Sequence, residues 1–269
     1  MLHTPEHTLT DFGLGLRWDA QYSAEPLTDL DLRSLLDKHG LLLISGTDAD
    51  DGMLVEIART FGPPNIAEPI PFQSPHTPYV RVQSNVPGIG DQSAGAYWHT
   101  DGAWSDPPTA VTVLFCEEAP GSGGETLFVD MRAVHDALPA TLRARIAGLR
   151  CHYPCREVYA EDLAKAGLSD PDRLAELQDL HHPLVRLHPT ANSRALCLHE
   201  RLLRGIVGLD EPASDELLSQ LWAAAIDGRH EYRHEWSEGD LLIWDNYSVL
   251  HKALPAALGT RKITRRVTV

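Results

Sequence analysis

Only four cysteines occur in 269 residues, Cys116, Cys151, Cys155 and Cys197, too few and too scattered for a disulfide framework. The run CHYPC has the spacing of half a zinc site, but no second cysteine pair follows it, so buried or half-buried thiols are expected. No apolar run approaches the roughly 18 residues of a membrane span. The opening residues, MLHTPEHTLTDFGLGLRW, lack the basic segment and apolar stretch of a secretory signal. A cytoplasmic protein without a membrane partner is the expectation. Positive charge is scarce: 23 Lys and Arg against 38 Asp and Glu leave a formal charge of −15, which repels nucleic-acid phosphates and anionic lipid surfaces. Nucleic acid is therefore not an expected partner. No internal repeat or low-complexity tract appears.

What the chain does have is length enough for one domain with insertions, over 1–269, and for a substantial core. Thr28 to His39 sets Leu30, Leu32, Leu35 and Leu36 at helical spacing behind two capping candidates, Thr28 and Asp29, and Gly40 stops it. Leu41 to Gly46 is short and apolar, a strand. DADDGMLVEIARTFGPP then gives a second capped helix with a Gly-Pro stop. A helix–strand–helix layer over about 28–64 results. The proline-rich residues that follow, to Ala96, hold one strand candidate, TPYVRVQSN; long loops of this kind are often lids or binding walls. TAVTVLFC and GSGGETLFVD read as strands, and MRAVHDALPATLRARIAGL as helix broken at Pro139. The charged stretch 156–180 reads as short helices of a mobile insertion. LHHPLVRLHPTANSRALCLHE alternates as a hairpin, SDELLSQLWAAAID is an amphipathic helix capped by Ser214, and HEYRHEWSEGDLLIWDN returns to strand.

The stretch YWHTDGAW carries His99 and Asp101. Two residues apart on an extended backbone, their side chains share a face and can reach one ion together. Two histidines and one carboxylate on one side of an octahedral ion leave open positions opposite, the arrangement of non-haem Fe(II) oxygenases. The second histidine has to come from far along the chain, and His251, at the end of WDNYSVLH, is the candidate. Arg266 lies fifteen residues beyond it. His181, His182, His188 and His199 sit beside prolines or in the hairpin and are expected to be structural or to support the ligands.

WHTDG, GGETLF, HPLVRLHP, WDNYSVLH and RRVTV, in that order and spread over nearly the whole chain, resemble the TauD/TfdA-type Fe(II)/2-oxoglutarate-dependent dioxygenases, the taurine dioxygenase family. The resemblance implies an α+β, mainly β fold: a double-stranded β-helix (jelly-roll) core flanked by helices, with 65–96 and 156–180 as lid or insertion candidates over the barrel mouth. It implies Fe(II) held by His99, Asp101 and His251, 2-oxoglutarate as co-substrate contacted by Thr126, and O2. The expected reaction oxidises a C–H bond of a small organic substrate, by default hydroxylating it, with release of succinate and CO2. Desaturation, or oxidation of an amine-bearing acid, stays open. Halogenation does not, since related halogenases lack the carboxylate that Asp101 supplies.

Taurine dioxygenase-like members carry arginine at two places on the final strand, and here the first is Lys262 and the second Arg266. Arg266 is the favoured anchor for 2-oxoglutarate, because a guanidinium fork matches a carboxylate bidentately, with Lys262 as a point-charge alternative. Arg261 and Arg265 alternate to the opposite face and are expected in solvent. Taurine-binding members carry histidine and tyrosine before the metal motif; PIPFQSPH, with Ile70, Phe72 and Gln73, departs from that, so taurine is not the expected substrate. Gln92, Ser93, Tyr97 and Trp104 flank the motif as pocket or packing candidates. A non-redox metal-binding cupin-like isomerase, or a small-molecule-binding jelly roll, is the rival reading, and neither needs the cation after His251. A homo-oligomer is compatible with the sequence.

Overall fold

The structure is a computed structural model that describes residues 7–19, 30–67, 72–90, 95–166 and 169–269. Its large sheet runs His7–Thr8, Leu16–Asp19, Leu41–Ser45, Leu241–Asp245, Val111–Glu118, Ile263–Thr268, Thr77–Ser84, Gln73–Ser74. The two central strands, Leu241–Asp245 and Val111–Glu118, are apolar almost throughout because both faces are covered. A smaller sheet joins Glu231–His234, Thr126–Asp130 and Val249–Ala253, with His251 opposite Phe128.

Period-two alternation sorts these side chains into layers. Leu114, Cys116, Leu242 and Trp244 of the large sheet meet Phe128 and Val249 of the small one, with Trp236 beside them, so the two sheets face each other. The far face of the large sheet, with Val113, Phe115, Leu241 and Ile243, packs under the helices Leu32–His39 and Asp51–Arg59. The outer face of the small sheet, with Val129 and Leu250, packs against the hairpin Val185–Leu187/Arg194–Leu196 and the helices Met131–Ala137 and Glu211–Ala225. Two mainly antiparallel sheets face to face, with Leu16–Asp19 and Leu41–Ser45 the parallel pair, and helices outside make a double-stranded β-helix, as expected.

Several boundaries differ from the sequence reading. The first helix begins at Leu32, where the Asp31 carboxylate accepts the Ser34 amide; Thr28 and Asp29 lie outside the described residues. The long C-terminal helix starts at Glu211 and is capped by Asp210, not Ser214. Pro212 suits a first turn, where its missing N–H has no partner to lose, and Ser214 is buried, taking the Ile206 amide on its hydroxyl. The charged segment forms the helices Cys155–Ala166 and Pro171–Glu176, with Val158 and Leu177 buried in the core. All four cysteines are free and buried. Among the described residues no helix is long and apolar enough to cross a membrane.

Candidate active site

His99 and His251 exchange both backbone hydrogen bonds at 2.9 Å, a bridge that joins the segment before Asp101 to the small sheet. It sets their rings side by side, with centroids 4.1 Å apart. His99 Nδ1 lies 2.7 Å from the Tyr97 carbonyl oxygen and donates to it, which leaves the lone pair on Nε2. That Nε2 is 3.9 Å from Asp101 Oδ1, and His251 Nε2 is 3.7 Å from Asp101 Oδ2. The three buried ligand atoms lie within 4.8 Å of one another, and among the described residues no other group of His, Cys, Asp or Glu converges this way.

Asp101 reaches this point because Gly102 follows it in the left-handed region, at φ +64°. A Cβ there would sit 1.9 Å from Thr109 Oγ1 and 2.7 Å from Thr109 N, so the turn closes only on glycine. Gly102→Ala is expected to cost about 1–3 kcal/mol. A thermal melt would read this as a lower Tm, and a Mn(II) titration as weaker binding, because the displaced turn carries Asp101 with it.

Arg266 Nη1 donates to Asp101 Oδ1 at 2.8 Å. Burial alone would raise the Asp101 pKa, but the Arg266 guanidinium, the two imidazoles and the Thr112 hydroxyl outweigh it and hold the carboxyl well below its usual range. Burial also pushes His251 down to about 3, with the neighbouring His99 adding to the shift, and lowers His99. Near neutral pH the cluster is thus two neutral imidazoles and one carboxylate, the protonation state in which these groups bind metal. Two nitrogens and one oxygen in a water-poor pocket are a donor set that fits a divalent first-row ion.

Thr264 and Arg266 lie on the inner face of the final strand, Ile263–Thr268, opposite Cys116 and Leu114, and Lys262 stands just before its first residue. Lys262 Nζ donates to the Gly124 carbonyl at 2.6 Å and stands 4.9 Å from the centroid of the Trp236 ring. The Trp236 indole N–H donates to Thr126 Oγ1 at 3.0 Å. Trp236 therefore links the lysine to the threonine, leaving the Thr126 proton and two of the Lys262 protons to donate elsewhere. The glycines before Thr126 let this turn form: a Cβ on Gly123, at φ +67°, would lie 2.8 Å from the Ala257 amide nitrogen. In this geometry the Arg266 guanidinium pairs with Asp101, while Lys262 is linked to Thr126 through Trp236.

The remaining histidines stay outside the triad. His188 pairs with Asp245 at 3.0 Å, His182 Nε2 sits 3.2 Å from the Ala103 carbonyl, and His181 stacks on His152. His199 is buried 6.2 Å from the His99 ring, its Nδ1 accepting the Arg201 and Leu202 amides. Tyr97 lies against His99 at 4.9 Å, and Trp104 packs edge-on to Tyr159. Ile70, Gln92 and Ser93 lie outside the described residues. Arg265 is not merely solvated on the outer face: it pairs with Glu117 and Asp51, as the more exposed Arg261 pairs with Glu118. Trp236 and Thr112 were not anticipated. Trp236 comes from the polar run HEWSEGD, and only the sheet brings it to Thr126.

Fold and donor set together define the class: a non-haem iron oxygenase built on a double-stranded β-helix. The family model described as "Taurine catabolism dioxygenase TauD, TfdA family" matches residues 8–268, and the chain belongs to that family. It is 28% identical over 253 residues to the alpha-ketoglutarate-dependent 2,4-dichlorophenoxyacetate dioxygenase of Cupriavidus pinatubonensis, covering 88% of this chain and 87% of the relative. It is also 28% identical over 254 residues to pentalenolactone F synthase of Streptomyces avermitilis, covering 86% and 82%. A crystal structure of a taurine dioxygenase from Burkholderia xenovorans superposes with a TM-score of 0.80 at 24% identity, over 99% of this chain and 89% of that one. The chain is an Fe(II)-dependent dioxygenase that consumes 2-oxoglutarate (alpha-ketoglutarate) and O2.

Proposed function

We propose that this dioxygenase hydroxylates a C–H bond of a small organic acid, with Fe(II) held by His99, Asp101 and His251. The observation that carries the reading is the convergence of two imidazoles and a carboxylate, with one cation, Arg266, on that carboxylate and a second, Lys262, against Trp236. Bound Fe(II) supplies O2 activation coupled to the oxidative decarboxylation of 2-oxoglutarate to succinate and CO2. The protein's part is to orient and to exclude water. Thr126 and Lys262 take the far carboxylate of 2-oxoglutarate, through a hydroxyl proton and an ammonium held in place by Trp236. Arg266, at the metal end of the strand, keeps Asp101 ionised and offers its remaining N–H groups to an anionic group of the co-substrate or the prime substrate. One co-substrate and two cations favour a prime substrate that is itself an anion, as fits the phenoxyacetate for which the Cupriavidus relative is named.

Screening small carboxylic and aryloxy acids for stimulated succinate release tests this, with mass analysis of the product. The expected result is an acid that gains one oxygen atom in step with succinate. A neutral amine or alcohol oxidised in preference to every acid would contradict the substrate class.

Burial lowers the Lys262 pKa to about 8. A buried ammonium loses its charge as pH rises through that value, so attraction for the diacid is present below about pH 8 and fades above it. The profile of kcat/KM for 2-oxoglutarate, which reports the free enzyme, is expected to fall above about pH 8. Lys262→Arg is expected to remove that fall, since guanidinium does not titrate there.

A further inference from the structure

Asp101 is held by more than its ion pair. Thr112 is fully buried on the inner face of the strand Val111–Glu118, and its hydroxyl donates to Asp101 Oδ2 at 2.7 Å. Along that face Leu114 and Cys116 are apolar, so Thr112 is the polar exception. Asn246 Nδ2 donates to the same hydroxyl at 2.9 Å. A hydroxyl has a single proton, and with an amide N–H filling a lone pair that proton is directed to the carboxylate. The other end of Asn246, Oδ1, accepts the backbone N–H of Asp101 at 3.0 Å and the Trp244 indole at 3.2 Å. Only an oxygen can accept from both, so the indole fixes which way the Asn246 amide faces. The bonds close a ring that runs from the Asp101 carboxylate through Thr112 and Asn246 back to the Asp101 backbone.

We propose that Thr112 and Asn246 are positioning residues that set the angle of the Asp101 carboxylate before the metal arrives, and so set metal affinity without touching the ion. The inference rests on the reading that His99, Asp101 and His251 hold Fe(II). The ring ties the side chain and main chain of one ligand to a single amide, which removes rotation of the carboxylate that metal binding would otherwise have to freeze. Partners behind a metal ligand are typically worth about 10- to 100-fold in affinity.

Thr112→Val keeps the shape and removes the hydroxyl. Circular dichroism and the Tm of the metal-free protein establish folding, and calorimetric titration with Mn(II) and Co(II) reads affinity. The valine variant is expected to bind both ions about 10- to 100-fold more weakly, and Thr112→Ser to restore binding. Asn246→Leu is expected to weaken binding in the same way, and the double variant to lose no more than the worse single one, because the two act as one unit. Thr112→Ala carries the same test if the valine variant does not fold. A folded variant lacking the hydroxyl that binds Mn(II) as the parent does overturns the proposal. So does a serine variant that fails to restore binding, or a pair of losses that multiply. Should the parent protein itself take up no divalent metal, the triad reading fails instead, an outcome separate from these.

Discussion

Asp101→Ala or His99→Ala is expected to abolish iron-dependent succinate release and to weaken divalent-metal binding by more than the roughly 100-fold that loss of an outer partner can cost. Either change removes one of three ligand atoms and with it the facial geometry that leaves sites open for a chelating keto acid and O2. The two variants should differ in stability. Asp101→Ala leaves the Arg266 guanidinium facing two imidazoles with no counter-charge, and removes the acceptor of the Thr112 hydroxyl. A half of an ion pair left buried is strongly destabilising, so Asp101→Ala should lower the Tm of the metal-free protein. His99→Ala leaves the Asp101–Arg266 pair intact, so its loss of stability should be smaller. Metal titration and thermal melts on the two purified variants check both halves; retained iron-dependent turnover in either would rule out the triad.

Lys262→Ala is expected to raise the KM for 2-oxoglutarate by about 10- to 100-fold, from the loss of a charge-assisted hydrogen bond worth about 1.5–3 kcal/mol. Its effect on kcat should be smaller, because the far carboxylate is bound alike before and during the reaction. Arg266→Ala should act differently. It removes the charge that holds Asp101 well below its usual pKa range, so it is expected to weaken metal binding and prime-substrate binding more than 2-oxoglutarate binding. Steady-state kinetics with each substrate varied in turn separates the two. If Arg266→Ala raises the 2-oxoglutarate KM and Lys262→Ala does not, the assignment of the two cations is reversed.

The triad was legible because the chemistry leaves few alternatives: a His-x-Asp pair, a late histidine and a cation on the last strand have little other reason to coincide. Strand alternation put Arg266 on the inner face and Arg265 on the other, but Lys262 falls just before the strand, and its place is set by Gly124 and Trp236. What alternation could not say was which cation lies beside Thr126, because that depends on Trp236 folding back from a turn with no periodic signal. The same limit hid Thr112 and Asn246. Each looks ordinary in its own run, a β-branched strand residue and a turn asparagine, and they become a unit only where the sheet register sets Trp244 opposite Thr112. Helix starts were misplaced for a local reason: Thr28, Asp29 and Ser214 are good capping residues, but Asp31 and Asp210 hold the positions from which a carboxylate reaches a free amide.

His99, Asp101 and His251 are expected to hold ferrous iron with room for a chelating keto acid. Anaerobic addition of 2-oxoglutarate to the iron-loaded protein, followed by visible absorption, tests it most directly. The expected result is a weak metal-to-ligand charge-transfer band that appears with 2-oxoglutarate and is absent with succinate. A protein shown to carry its iron that gives no such band would contradict it.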